Sequence, residues 1–207
     1  MQMYDWDSNM AWKLIIKTML NKIKLTSSPG VPYAVLGPTN EDVLLTNFYA
    51  IAYMSYSLLY AYYHSSEELE EMTEKVAINL VKSGLLYVSR LFVKDEPHPA
   101  RKFESQKWRL IWSVPLVHQI VHRVLFTVQD ELEIANWESC PSKPGLSLNS
   151  DGHDKLVNGI PKGIDLSSLD VASYDWAYNL TDIEVNRRRR LLLQCGNRKC
   201  GLSRAIN

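Results

Sequence analysis

Asp170 and Asp175 have the types and spacing most able to do chemistry. They bracket the run Asp170-Val171-Ala172-Ser173-Tyr174-Asp175, at the end of a segment, Ile164–Val171, that reads as a strand. A strand sends alternate side chains to opposite faces, and a carboxylate at its C-terminal end meets a site rather than the core. A second carboxylate five residues on, across a turn, can lie alongside the first. Such a pair suits Mg²⁺, a hard cation that takes oxygen ligands and retains waters for substrate phosphates. Ordinary turn chemistry is the competing reading, because Asp initiates turns of every kind.

A second group is cationic. Lys94, Arg101, Lys102, Lys107 and Arg109 set five positive charges within sixteen residues, with Asp95, Glu96 and Glu104 among them. Arg109 stands in Trp108-Arg109-Leu110-Ile111, where a strand puts Trp108 and Leu110 on one face and Arg109 on the other. A guanidinium so placed can fork onto a phosphate. A solvated hairpin laced with surface ion pairs is the alternative. Cations here and carboxylates at Asp170 and Asp175 would together equip a triphosphate site.

A third group is Arg187 to Arg190, four consecutive arginines; with Arg198, Lys199 and Arg204 they form a stretch without an acid from Arg187 onward. RNA backbone contact is one use for it and a solvated helix face the other. Successive helical residues turn by about 100°, so at most two of the four reach one phosphate surface.

The elements that must hold these groups are legible in outline, and they are of α+β type. Met10–Lys24 has apolar residues at helical spacing with lysines between them. The segment Thr26-Ser27-Ser28-Pro29-Gly30-Val31-Pro32-Tyr33 breaks that helix into a stiff loop, since two prolines around a glycine admit no regular element. A second helix is expected from about Asp42, capped by Asn40. A third is expected after Ser66, running to Lys82 and ended by Gly84. Leu85–Val93 and Trp108–Val114 read as strands of an antiparallel ribbon. Val117–Trp137 reads as a long helix, Cys140–Gly163 as a loop-rich link, Ile164–Val171 as a third strand, and a last helix starts near Leu180.

Composition limits the classes of function. The 207 residues are 46% hydrophobic and 22% charged, enough for one core and a small second lobe. The 23 basic and 23 acidic residues cancel, which excludes a uniformly basic coat but not a local basic groove. Cys140, Cys195 and Cys200 give no disulfide framework, and a reducing compartment is the natural reading. Met1–Asn9 lacks the basic region of a signal peptide. Val43–Tyr63 is uncharged over 21 residues, but its six tyrosines are spread along it. It is expected to be a mostly buried helix rather than a membrane span.

Four blocks, in order, resemble RNA-dependent RNA polymerases of positive-strand RNA viruses, of the sobemovirus and polerovirus-like group. Ser27-Ser28-Pro29-Gly30-Val31-Pro32 resembles the fingers loop over the template entrance, motif G. Phe92-Val93-Lys94-Asp95-Glu96-Pro97-His98 with Arg101-Lys102, then Lys107-Trp108-Arg109-Leu110-Ile111, resembles motif F. Pro141-Ser142-Lys143-Pro144-Gly145-Leu146 resembles a link of that group, and Asp170 to Trp176 resembles motif A.

The resemblance implies a fragment of the right-hand fingers–palm–thumb fold. Residues 1–163 would be fingers and the fingers-to-palm connection; residues 164–207 would begin the palm with its first strand and helix. It implies nucleotidyl transfer from a nucleoside triphosphate to an RNA 3′ end by a two-metal mechanism with Mg²⁺. Asp170 would be the catalytic metal ligand and Asp175 would recognise the ribose 2′-hydroxyl. Lys94, Lys102, Lys107 and Arg109 would bind nucleotide, while Ser28, Gly30, Arg187 and Arg188 would touch template RNA. The Gly-Asp-Asp motif of the family does not occur, so the chain is expected to be a catalytically incomplete fragment. Implied partners are template and product RNA, nucleoside triphosphates and other viral replication proteins, with no transmembrane segment. The implied location is the host cytoplasm, with a membrane-associated replication complex reached through partners. A non-catalytic RNA-binding module is the alternative.

Overall fold

The computed structural model describes residues 8–64, 74–97, 99, 100, 104, 108–147, 149–165, 167–169 and 179–193. Their helices are α1 (Ser8–Asn21), α2 (Asn40–His64), α3 (Glu74–Lys82), α4 (Leu116–Ala135), α5 (Ser150–Asn158) and α6 (Leu180–Leu192). Two strands, β1 (Arg90–Val93) and β2 (Leu110–Ser113), complete the α+β mixture. The described residues fall into two compact units, one up to Leu125 and the other from Phe126 onward.

In the first unit α1 buries Ala11, Ile15, Thr18 and Met19, one face at helical spacing, while Lys13 and Lys17 stay in solvent. Val43 and Ile51 of α2 and Leu116, Val117 and Ile120 of α4 are buried with them. The start of α2 departs from expectation. Thr39 is its cap: Asp42 N–H donates to Thr39 Oγ1 at 3.3 Å and Thr39 N–H donates to Asp42 Oδ2 at 3.0 Å. Asn40 is instead fully buried and sends its amide to Lys24 O at 3.0 Å and Gln119 Oε1 at 3.2 Å. The mostly buried α2 is also corrected. Ile51, Ala52, Ser55, Leu58 and Leu59 are buried, whereas Tyr49, Tyr53 and Tyr60 face solvent, because packing from one side covers only a stripe. No described helix is long and apolar enough to cross a membrane.

The ribbon forms as expected but shorter. β1 and β2 are antiparallel, with Arg90 opposite Ser113 and Val93 opposite Leu110. Leu85 and Leu86 are withheld from it by the end of α3: Gly84 takes φ +76°, and both following N–H groups bond Leu80 O at 3.0 and 3.1 Å. Tyr87 then packs edge-on against Tyr33 and His118, with centroids 6.1 and 5.2 Å away. Burial there raises the Tyr33 phenol pKa and lowers that of the His118 imidazole.

Two expectations fail in the second unit. The Cys140–Gly163 link contains α5, capped by Asn149, whose side chain accepts from Gly152 N–H at 2.9 Å. Gly152 serves close approach: a Cβ there would lie 2.0 Å from Ser147 O. The third strand is absent from residues 164, 165 and 167–169, and Val171 lies outside the described residues. Among the described residues the sheet consists of β1 and β2 alone, and residues 164, 165 and 167–169 have no strand partner.

Candidate nucleotide and template site

The ribbon register determines the first cluster. Lys94 leaves β1 where Arg109 enters β2, and Lys94 N–H donates to Arg109 O at 2.8 Å. Glu96 then reaches both side chains, with Lys94 Nζ 2.6 Å from Oε2 and an Arg109 guanidinium nitrogen 3.0 Å from Oε1. The hydrogen bond from Lys94, and next the Arg109 charge, hold the Glu96 carboxyl below its ordinary range. Two cations are thus held side by side at the end of the ribbon where its connecting segment begins and ends, with Arg109 largely exposed. Sequence reading took Glu96 only as an acid diluting a basic stretch. Its presence two residues after Lys94, beside a ribbon that returns Arg109, was the available signal.

The other end of the ribbon holds the Ser28–Gly30 loop. Ser113 Oγ donates to Ser28 Oγ at 3.0 Å, and Gly30 N–H donates to the same oxygen at 3.3 Å. Leu116 N–H bonds Pro29 O at 2.8 Å. Gln119 Nε2 donates to Ser28 O at 3.3 Å and Val114 O at 2.6 Å, while its Oε1 accepts from buried Asn40. Gln119 is a joint that sequence reasoning missed, since nothing local marks it among the polar residues of α4. Between loop and ribbon lies a cleft of about 420 Å³ lined by Ser28, Phe92, Ile111, Trp112, Ser113 and Gln119. It offers an apolar wall together with hydroxyl and amide groups, which suits a flat, polar-edged ring such as a nucleobase.

The arginines of α6 fan out as helical geometry requires. Arg187 and Arg188 both bond Glu184 at 2.6 Å, whereas Arg189 pairs with Glu133 and Arg190 with Asp130 of α4. Arg190 also lies over the Phe126 ring, 4.8 Å from its centroid. Hydrogen bonds from Arg187 and then Arg188 push the Glu184 carboxyl down to about 2. A lowered carboxyl pKa means that the two bonds are fully present above the ordinary value of 4.5 and are lost as pH falls through about 2. An NMR titration of the Glu184 side chain is expected to show no midpoint near 4.5. A midpoint there would mean that the arginines leave Glu184 in solution.

Asp170, Asp175, Lys102 and Lys107 lie outside the described residues. Among those described, no three His, Cys, Asp or Glu side chains gather as a metal site. The cluster at Glu96 and the loop at Ser28 both fall within residues 11–157, which match the family model for viral RNA-directed RNA polymerase. The chain belongs to that polymerase family. It is 33% identical over 193 residues to the replicase polyprotein P2AB of Southern bean mosaic virus, covering 91% of this chain and 20% of that protein. It is 31% identical over 174 residues to the RNA-directed RNA polymerase of Mushroom bacilliform virus, covering 81% of this chain and 40% of the relative. Protein P1-P2 of Turnip yellows virus is 53% identical over 108 residues, 52% of this chain and 10% of its own length. This polymerase-family chain therefore spans a fifth of the Southern bean mosaic virus polyprotein. No solved structure matches it.

Proposed function

We propose that the chain supplies the fingers and the start of the palm of a viral RNA-directed RNA polymerase that extends an RNA 3′ end on an RNA template. The observation that carries this reading is the pairing of Lys94 and Arg109 on one carboxylate at the ribbon end, inside the family match. A triphosphate arriving there competes with Glu96 for two cations already held together, so little side-chain entropy is lost on binding. Arg109 has the fork for a phosphate and Lys94 a point charge beside it. Lys102 and Lys107 would extend the same cationic wall, and Asp175 would accept the ribose 2′-hydroxyl. Asp170 is the proposed ligand of Mg²⁺, which would supply charge neutralisation at the phosphates. Ser28 and Gly30 would guide template past the cleft, and Arg187 and Arg188 would meet its backbone. Host cytoplasm is the proposed location.

Arg109→Ala in the full-length polymerase tests this. The apparent nucleotide KM is expected to rise, or kcat to fall, by about tenfold or more, with RNA affinity changed by less than about twofold. Loss confined to RNA affinity and its salt dependence would make the ribbon a template clamp and favour the RNA-binding module instead.

A further inference from the structure

Ser8–Asn40 contains Lys13, Lys17, Lys22 and Lys24 and no Asp or Glu, and Val43–Tyr63 contains no charge at all. A chain of zero net charge thus gathers positive charge on α1 and the loop after it, next to an α2 whose only acids, Glu41 and Asp42, lie in its first turn. The two helices pack on each other, and Trp12 meets Tyr56 edge-on with centroids 6.0 Å apart. That contact settles which flank of α2 borders α1. Tyr49, Tyr53 and Tyr60 share the Tyr56 side at helical spacing and are 78%, 65% and 54% exposed. Tyr60 stacks with Tyr56 at 6.2 Å. On α1, Ile16 and Leu20 continue the line of Trp12 at four-residue steps, and Leu20 is 65% exposed. Lys13 and Lys17, both exposed, edge this line. The tyrosine stripe runs for about 17 Å, the rise of three helical turns.

We propose that this α1–α2 face lies on an anionic lipid bilayer, with the tyrosine stripe at the headgroup level and the lysines reaching lipid phosphates. Tyrosine and tryptophan suit that depth, because the ring is apolar and the hydroxyl or indole N–H stays hydrated. Lysines at the edge bury their stems and keep the ammonium in water. The helices would lie in the plane of the interface rather than cross it. RNA fits the same face less well. Its bases need open ring faces, whereas Tyr56 and Tyr60 stack with each other, and Leu20 adds aliphatic surface. A second copy also fits less well, since a two-fold contact sets the patch against itself, lysine near lysine. The proposal stands on its own and does not rest on the polymerase reading.

The test is co-sedimentation of the 207-residue chain with phosphatidylcholine vesicles, with and without phosphatidylserine, at low and high salt. Binding is expected on the phosphatidylserine vesicles and is expected to weaken with salt. Tyr49→Ser with Tyr53→Ser, and separately Lys13→Glu with Lys17→Glu, should each cut it by about tenfold or more. Circular dichroism confirms that both variants fold, and Tyr49→Trp with Tyr53→Trp should restore or strengthen binding. Absence of vesicle binding, or binding that both variants leave unchanged, would overturn the proposal. So would tyrosine variants that lose RNA binding or dissociate a dimer while vesicle binding persists.

Discussion

Asp170→Asn in the full-length polymerase should lower nucleotide addition by about a thousandfold or more, which is about 4 kcal/mol of transition-state stabilisation. Asparagine keeps the volume of the side chain and one of its oxygens but carries no charge. A divalent cation held between carboxylates and phosphates loses affinity, and its hold on the reacting oxygens, when one anionic ligand becomes neutral. Primer extension in Mg²⁺ measures the effect, with RNA affinity as the control that should stay near normal. Near-normal incorporation by the variant would reject Asp170 as the ligand. It would leave the Lys94–Arg109 cluster as the remaining support for triphosphate handling.

Gly30→Ala should strongly destabilise the first unit. Gly30 sits at φ +68°, where an L side chain is strained, and its Cβ would lie 2.8 Å from Val114 O and 2.9 Å from the Pro115 backbone. Backbone atoms cannot swing aside as a flexible side chain can. The strain and the clash together are expected to cost about 2–4 kcal/mol. For a chain of this size that lowers Tm by roughly 5–15 °C. Gly84 is the control: it has φ +76° but nothing within 4 Å of a Cβ. Gly84→Ala should cost only about 1–2 kcal/mol, the left-handed penalty alone. If the two variants melted alike, the Ser28–Gly30 loop would not be seated on the β2–α4 junction in solution. Because Ser28 bonds Ser113 at the root of the ribbon, loosening the loop should also disturb the cleft beside it.

Much of this architecture could be read locally. The helices around Ile15, Ile51 and Ile120 follow from apolar residues at i, i+4 and i+7, a pattern that depends on no distant partner. Gly84 as a helix stop depended only on neighbouring backbone, and the two ribbon segments were visible as β-branched and aromatic runs. The family followed from four ordered blocks of residues. What the sequence left open was the partner of each polar group, because a hydrogen bond or ion pair is decided by which elements meet. Asn40 looked like a cap and became an interior link to Gln119, 79 positions away, while Thr39 took the cap. The link Cys140–Gly163 looked rich in loop, yet Gly152 makes a close approach to Ser147 inside α5's first turn. Arg189 and Arg190 looked like a basic run, but α6 directs them to Glu133 and Asp130 of α4. By itself, then, the sequence determined the family and the kinds and order of the elements in the first unit, while in the second it missed α5 and put a strand where residues 164, 165 and 167–169 form none. Tertiary structure alone decided that Glu96 gathers Lys94 and Arg109, because only the antiparallel register brings residues 94, 96 and 109 within reach of one carboxylate.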